Sequence, residues 1–130
     1  MICVDYLQLL QPDVKTNGRV EAVGEISRAL KLLAMELGIP VIAAAQVNRA
    51  STQGEERAPK LSELRESGSI EQDADIVFLL HAPQGEEQRG QKPMQLIVAK
   101  NRHGRTGLTD LMFDGALMRF AQVENRRLAG

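Results

Sequence analysis

Ile2-Cys3-Val4-Asp5-Tyr6-Leu7-Gln8-Leu9 sets a short apolar run directly against an acid. A buried parallel strand that ends in a carboxylate is how open α/β nucleotide-binding folds place negative charge beside Mg²⁺ at the carboxyl edge of a sheet. Such an acid belongs well inside a domain, downstream of a phosphate-binding loop, yet here it stands at position 5. The chain therefore reads as the second half of a domain whose first half is supplied elsewhere.

Working outward, residues 11–18 carry Pro12, Asp13, Asn17 and Gly18 with no hydrophobic period, which predicts a loop. Val20, Val23, Ile26, Leu30, Leu33 and Leu37 then recur in steps of three or four and stripe one helix face, and Gly38 stands in the C-cap place. Pro40 precedes a second unbroken apolar run, Val41-Ile42-Ala43-Ala44-Ala45, which closes at Gln46. Strand, crossover helix and strand make a βαβ unit, so the two strands should be parallel.

Residues 48–60 are polar and aperiodic and read as a surface loop. A short helix is expected over 61–66, broken by Gly68, with another turn over 69–73. Ile76-Val77-Phe78-Leu79-Leu80 reads as a third buried strand ending at His81, and 83–93 as a second polar loop. The remainder is antiparallel in character, with strands over 94–100, 106–113 and 118–120 and turns at His103-Gly104 and Asp114-Gly115.

With 130 residues, 43% hydrophobic and 25% charged, the chain is one domain of ordinary globular composition. Its net charge of -1 confines any nucleic-acid contact to a local patch. One Tyr, three Phe and no Trp weaken a mechanism based on base stacking and favour phosphate contacts. Cys3 has no partner for a disulfide, which fits a reducing cytoplasm with Cys3 as a small core residue. No apolar stretch reaches the length that crosses a bilayer, so no membrane contact is expected.

Four constellations carry chemistry, each with a plainer reading beside it. Asp5 at a strand end should face a cation, a helix N-terminus or water, or else serves as a loop acid. Gln46 ends the second strand at the same edge, where a neutral amide can sense a phosphoryl oxygen or cap the strand. In the stretch from Leu64 to Asp75, Arg65 can grip a phosphate with its planar fork and Gly68 can turn backbone N–H groups to one point. The same segment also reads as a capped helix start. Lys100 and Arg102, two apart on a strand, present two cations side by side at a hairpin, suited to an anion on another subunit or to simple solvation. His81 and His103 have no Cys or His at ligand spacing, which argues against a metal cluster there.

Taken together, the segments around Asp5-Tyr6-Leu7-Gln8-Leu9, Gln46-Val47-Asn48-Arg49, Arg65-Glu66-Ser67-Gly68 through Asp75, and Lys100-Asn101-Arg102-His103-Gly104 resemble the C-terminal ATPase domain of bacterial replicative hexameric DNA helicases of the DnaB family. Four motifs in the family's order span most of the chain. The resemblance implies an α/β chain, a partial RecA-like P-loop NTPase core with parallel strands followed by an antiparallel C-terminal hairpin. It implies ATP with Mg²⁺ bound between subunits of a homo-hexamer acting on single-stranded DNA. Asp5 then looks like the Walker B acid and metal-side residue, and Gln46 like the sensor of the γ-phosphate. Lys100 and Arg102 match the pair that reaches into the neighbouring subunit's nucleotide site, and Arg65, Glu66 and Gly68 match residues that touch the single strand's phosphates. Primase and the helicase loader are the further partners implied, through regions outside this chain. Where the family often has Asn-Gly-Pro in the hairpin, this chain has His103-Gly104-Arg105, which changes the turn and keeps the cation pair.

Residues 1–130 are thus expected to be the C-terminal half of such an ATPase domain, with the Walker A half and the N-terminal collar absent. Gly-x-x-x-x-Gly-Lys-Ser/Thr occurs nowhere in the sequence, and the acid that would activate the attacking water is expected upstream. The isolated chain should therefore neither bind ATP tightly nor unwind DNA. A non-catalytic module that regulates a complete helicase and a weak single-strand binder are the alternative functions. An exposed sheet edge and self-association are expected of such a half-domain.

Overall fold

A computed structural model describes residues 1–47, 57–64, 68–83 and 90–123. Strands β1 (Ile2–Val4) and β2 (Val41–Ala43) pair parallel, Ile2 opposite Val41 and Val4 opposite Ala43, as the βαβ reading requires. Between them runs helix α1 (Arg19–Leu37). Gly18 offers no side-chain cap, and the Glu21 carboxylate instead accepts the Asn17 N–H at 2.6 Å in the first turn, where negative charge suits the helix dipole. At the other end Gly38 adopts a left-handed conformation (φ 61°), and the N–H groups of Gly38 and Ile39 both bond the Ala34 carbonyl.

After a 3₁₀ turn (Leu61–Glu63) comes the short helix α2 (Gly68–Asp73). A four-stranded antiparallel meander follows: β3 (Ile76–His81), β4 (Gln91–Asn101), β5 (Gly107–Asp114) and β6 (Arg119–Gln122). The predicted α/β class, parallel strands first and antiparallel strands after, is the one observed. The antiparallel part is larger than a hairpin, because β3 pairs with β4 instead of joining the parallel pair.

Strand β4 begins three residues before the predicted 94–100 stretch and takes in Pro93. Proline cannot donate to a ladder, but β3 pairs only as far as Gln95, so among the described residues Pro93 pairs with β5 alone, opposite Met112. The turn into β6 is closed by Asp114, whose Oδ1 accepts the N–H groups of Ala116 and Leu117, each at 3.0 Å. Phe113 and Phe120 pack across β5 and β6 with ring centroids 4.8 Å apart.

One core joins the pieces: Leu7 beyond β1, Val23 and Ile26 of α1, Leu64, Ile70 of α2, and Val77 and Leu79 of β3. Strand β3 is not buried on both faces as its unbroken apolar run predicts. Val77 and Leu79 are inside, whereas Ile76, Phe78 and Leu80 are 48–58% exposed, because α1 and α2 cover only one face of the meander. Cys3 is likewise exposed, a correction to its reading as a core residue: among the described residues β1 pairs with β2 alone. Asn48, Arg49, Arg65, Glu66 and Ser67 lie outside the described residues.

Candidate functional site

At the carboxyl edge of the parallel pair the ladder continues past the strands. The Ala44 N–H donates to the Val4 carbonyl at 2.9 Å, and the Leu7 N–H donates to the Ala44 carbonyl at 2.8 Å. These bonds fix Asp5 where β1 leaves the sheet beside β2, and the Asp5–Tyr6 peptide is cis. The Gln46 N–H donates to Gln8 Oε1 at 3.4 Å, so the segment that leaves β2, which ends at Ala43 and not at Gln46, is tied to the segment that follows Asp5. Asp5 and Gln46 are both exposed at this one edge. Gln8, whose side chain the sequence reading passed over, accepts that bond, while its Nε2 is buried with no hydrogen-bond partner among the described residues.

Lys100 and Arg102 sit elsewhere, where β4 ends. An irregularity between Val77 and Phe78 puts Lys100 opposite Val77 and Val98 opposite Phe78, so Ala99 is the extra residue of a bulge. Cross-strand partners share a face, so the bulge turns Lys100 to the covered side with Val77. There the Lys100 ammonium meets the Glu71 carbonyl of α2 and lies 3.5 Å from that of Gln72. Arg102 Nη2 donates to the same Gln72 carbonyl at 2.9 Å. Both cations therefore serve the free carbonyls at the C-terminal end of α2, where positive charge is favoured.

Asp75 holds this arrangement from below. Its carbonyl accepts the Arg102 N–H at 2.8 Å, and its carboxylate lies 3.6 Å from Arg102 Nε and 2.6 Å from Lys31 Nζ. The Lys31 hydrogen bond draws the Asp75 carboxyl below its ordinary pKa, helped by the charges of Lys31, Arg102 and His103 against some desolvation. The hairpin itself is set by Asn101, whose Oδ1 accepts the His103 N–H at 3.2 Å and whose Nδ2 donates to the Arg105 carbonyl at 3.4 Å. A Cβ at Gly104 would stand 2.6 Å from Asn101 Nδ2, so a side chain there would displace the amide that sets the turn.

The structure thus brings Asp5 to Gln46 and Lys100 to Arg102, and among the described residues no hydrogen bond or ion pair joins the two pairs. Of the three residues matched to DNA contact, Gly68 begins α2 and is exposed, while Arg65 and Glu66 fall outside the described residues. Beside Gly68 a cleft of about 550 Å³ opens between α2 and the first turns of α1, lined by Asn17, Gly24, Arg28, Ser69 and Gln72 among others. Lys31 and Asp75 were not singled out from sequence. Their signal was there: Lys31 continues the inward line of Val23 and Ser27 at steps of four, and a lysine on a covered face calls for an acid.

Residues 1–122 match the DnaB-like helicase C terminal domain family. The chain belongs to that family. It is 48% identical over 125 residues to a replicative DNA helicase DnaB of Leifsonia xyli subsp. xyli and 42% identical over 129 residues to that of Geobacillus stearothermophilus. These matches cover 95% and 97% of this chain but only 27% and 28% of those relatives. Two solved structures superpose closely: a DnaB-like replicative helicase studied with its interactions with primase (TM-score 0.83, 38% identity) and the ATPase domain of G40P (TM-score 0.82, 38% identity). Each covers 94% of this chain, which in turn spans 30% and 44% of them. Among the described residues no helix is long and apolar enough to cross a membrane.

Proposed function

We propose that this chain is part of a replicative DNA helicase, a segment of a hexameric ring that translocates on single-stranded DNA by hydrolysing ATP. The observation that carries the reading is the parallel β1–β2 register, which sets Asp5 and Gln46 at one carboxyl edge in a chain of the DnaB-like family. ATP with Mg²⁺, when bound, supplies the phosphoryl group whose transfer to water drives the motor. Mg²⁺ takes one or two carboxylates and fills the rest of its shell with water and phosphate oxygens. A single exposed Asp5 carboxylate, with the neutral Gln46 amide at the same edge, fits that demand.

In this reading Asp5 holds the metal side of the nucleotide and Gln46 senses its terminal phosphate. Lys100 and Arg102 act on the nucleotide of the neighbouring subunit, which explains why they stand apart from Asp5. Arg65, Glu66 and Gly68 contact phosphates of the single strand. The isolated 130-residue chain does not hydrolyse ATP, since its sequence carries no phosphate-loop motif. Contacts with primase and a loader belong to the assembled ring, and the setting is cytoplasmic.

The test is a chimera in which residues 1–122 replace the matched segment of the Geobacillus stearothermophilus helicase. The chimera should retain hydrolysis stimulated by single-stranded DNA, and Arg102→Ala should lower it by about 10³ to 10⁵, the range for an arginine finger. A chimera whose hydrolysis is indifferent to Arg102 contradicts the reading.

A further inference from the structure

Past the parallel pair, the backbone at the carboxyl edge runs out of ladder partners. Strand β2 ends at Ala43, and the chain beyond β1 coils into a 3₁₀ turn over Leu7–Leu9. The Leu7 N–H still reaches the Ala44 carbonyl at 2.8 Å. Two residues further on, the Gln46 N–H meets no backbone carbonyl among the described residues and donates to Gln8 Oε1 at 3.4 Å. A side chain thus continues the ladder where the strand does not.

We propose that Gln8 is a positioning residue for ATP hydrolysis, fixing the backbone at Gln46 relative to Asp5. The inference rests on the reading that Gln46 senses the terminal phosphate and Asp5 holds the metal side. Gln8 stands three residues after Asp5, so the segment that carries the acid also grips the sensor. On its other side Gln46 is followed by Val47, which bridges antiparallel to Leu64, a core residue 6% exposed. The main chain is held before and after the sensor. Because the Gln8 bond is made through the Gln46 backbone N–H, it leaves both ends of the Gln46 amide available to a phosphoryl oxygen or a water.

Gln8 can hold because its own base is fixed. Its neighbour Leu7 is 3% exposed and packs in the core with Val23 and Ile26 of α1. The turn closes on itself through the Leu9 N–H on the Tyr6 carbonyl at 3.0 Å and the Leu10 N–H on the Leu7 carbonyl at 3.2 Å. With Nε2 buried and unpartnered among the described residues, the side chain is used as an acceptor only. Methionine in its place keeps the length and the apolar stem but offers a weak acceptor, whereas glutamate keeps the oxygen. Small misplacements of a reacting group cost rate steeply, so this bond is felt in kcat before it is felt in stability.

The test has two arms. In the isotope-labelled full chain, NMR follows solvent exchange of the Gln46 amide: Gln8→Met should speed it by about 3- to 10-fold, as expected for one lost hydrogen bond, and Gln8→Glu should restore most of the protection. In the chimera, Gln8→Met should lower kcat by about 10- to 10²-fold with KM for ATP within about two-fold of wild type. Added to Gln46→Ala it should lower kcat no further, because residues that act as a unit are not additive. Losses that add, accompanied by a lower melting temperature, mark Gln8 as merely structural and overturn the proposal. Exchange at Gln46 unchanged in Gln8→Met, or kcat unchanged in Gln8→Met while Gln46→Ala abolishes hydrolysis, also overturns the role of Gln8 and leaves the sensor reading standing. Hydrolysis at the wild-type rate in Gln46→Ala overturns the sensor reading and the inference with it.

Discussion

Lys31 Nζ and Asp75 Oδ2 lie 2.6 Å apart, linking the middle of α1 to the residue that precedes β3. Because that hydrogen bond lowers the Asp75 pKa in the folded chain, the native state holds this proton less tightly than the unfolded state does. The contribution to stability is present above the ordinary aspartate value, about 3.9, and is lost as pH falls through the lower native value. Asp75→Asn should therefore lose stability at neutral pH and show a flatter acid limb than wild type in denaturant melts. An unchanged acid limb contradicts the pairing.

Gly38 ends α1 at φ 61°, where a Cβ is strained. Gly38→Ala should lower stability by about 1 to 2 kcal/mol, although a Cβ there meets nothing within 4 Å. Thermal melting of the purified variant checks this, and a wild-type midpoint would show that the helix end rearranges freely.

Neighbouring residues of β3 should behave oppositely. Leu79 is 3% exposed, and Leu79→Ala should cost about 2 to 5 kcal/mol. Phe78 is 58% exposed on the uncovered face with Ile76 and Leu80. Phe78→Lys should leave unfolding within about 0.5 kcal/mol of wild type while raising the monomer fraction in light scattering, because exposed apolar patches drive association. A wild-type chain that is already monomeric contradicts this second expectation.

If the chain is a piece of the motor and not a regulator, adding it to a complete DnaB-family helicase should leave that enzyme's ATPase rate unchanged. A dose-dependent change in rate would favour the regulatory alternative, in which Lys100 and Arg102 insert against an intact subunit.

What the sequence reveals depends on whether a signal is local. The pair β1 and β2, α1 and its glycine end were legible because a period of 3.6, two apolar runs and Gly38 agree. The side-by-side placement of Lys100 and Arg102 was legible from alternation, and both reach Gln72. Their anchoring on α2 was not, since it depends on a bulge at Val77/Phe78 that leaves no mark in the residue pattern. The one-sided burial of β3 was hidden for another reason: an all-apolar strand carries no record of which face is covered. Pro93 misled in the opposite direction, because a proline is acceptable where a strand has only one neighbour.

The central claim is that Asp5 and Gln46 on one subunit and Lys100 and Arg102 on the next complete a single nucleotide site. Subunit mixing in the ring-forming chimera tests it directly. Rings of Asp5→Ala subunits alone and of Arg102→Ala subunits alone should both be inactive, and an equal mixture should recover hydrolysis at about a quarter of its interfaces, the share in which random neighbours in a head-to-tail ring supply both intact halves. Recovery on mixing is the result this account requires, and mixed rings as inactive as either parent would contradict it.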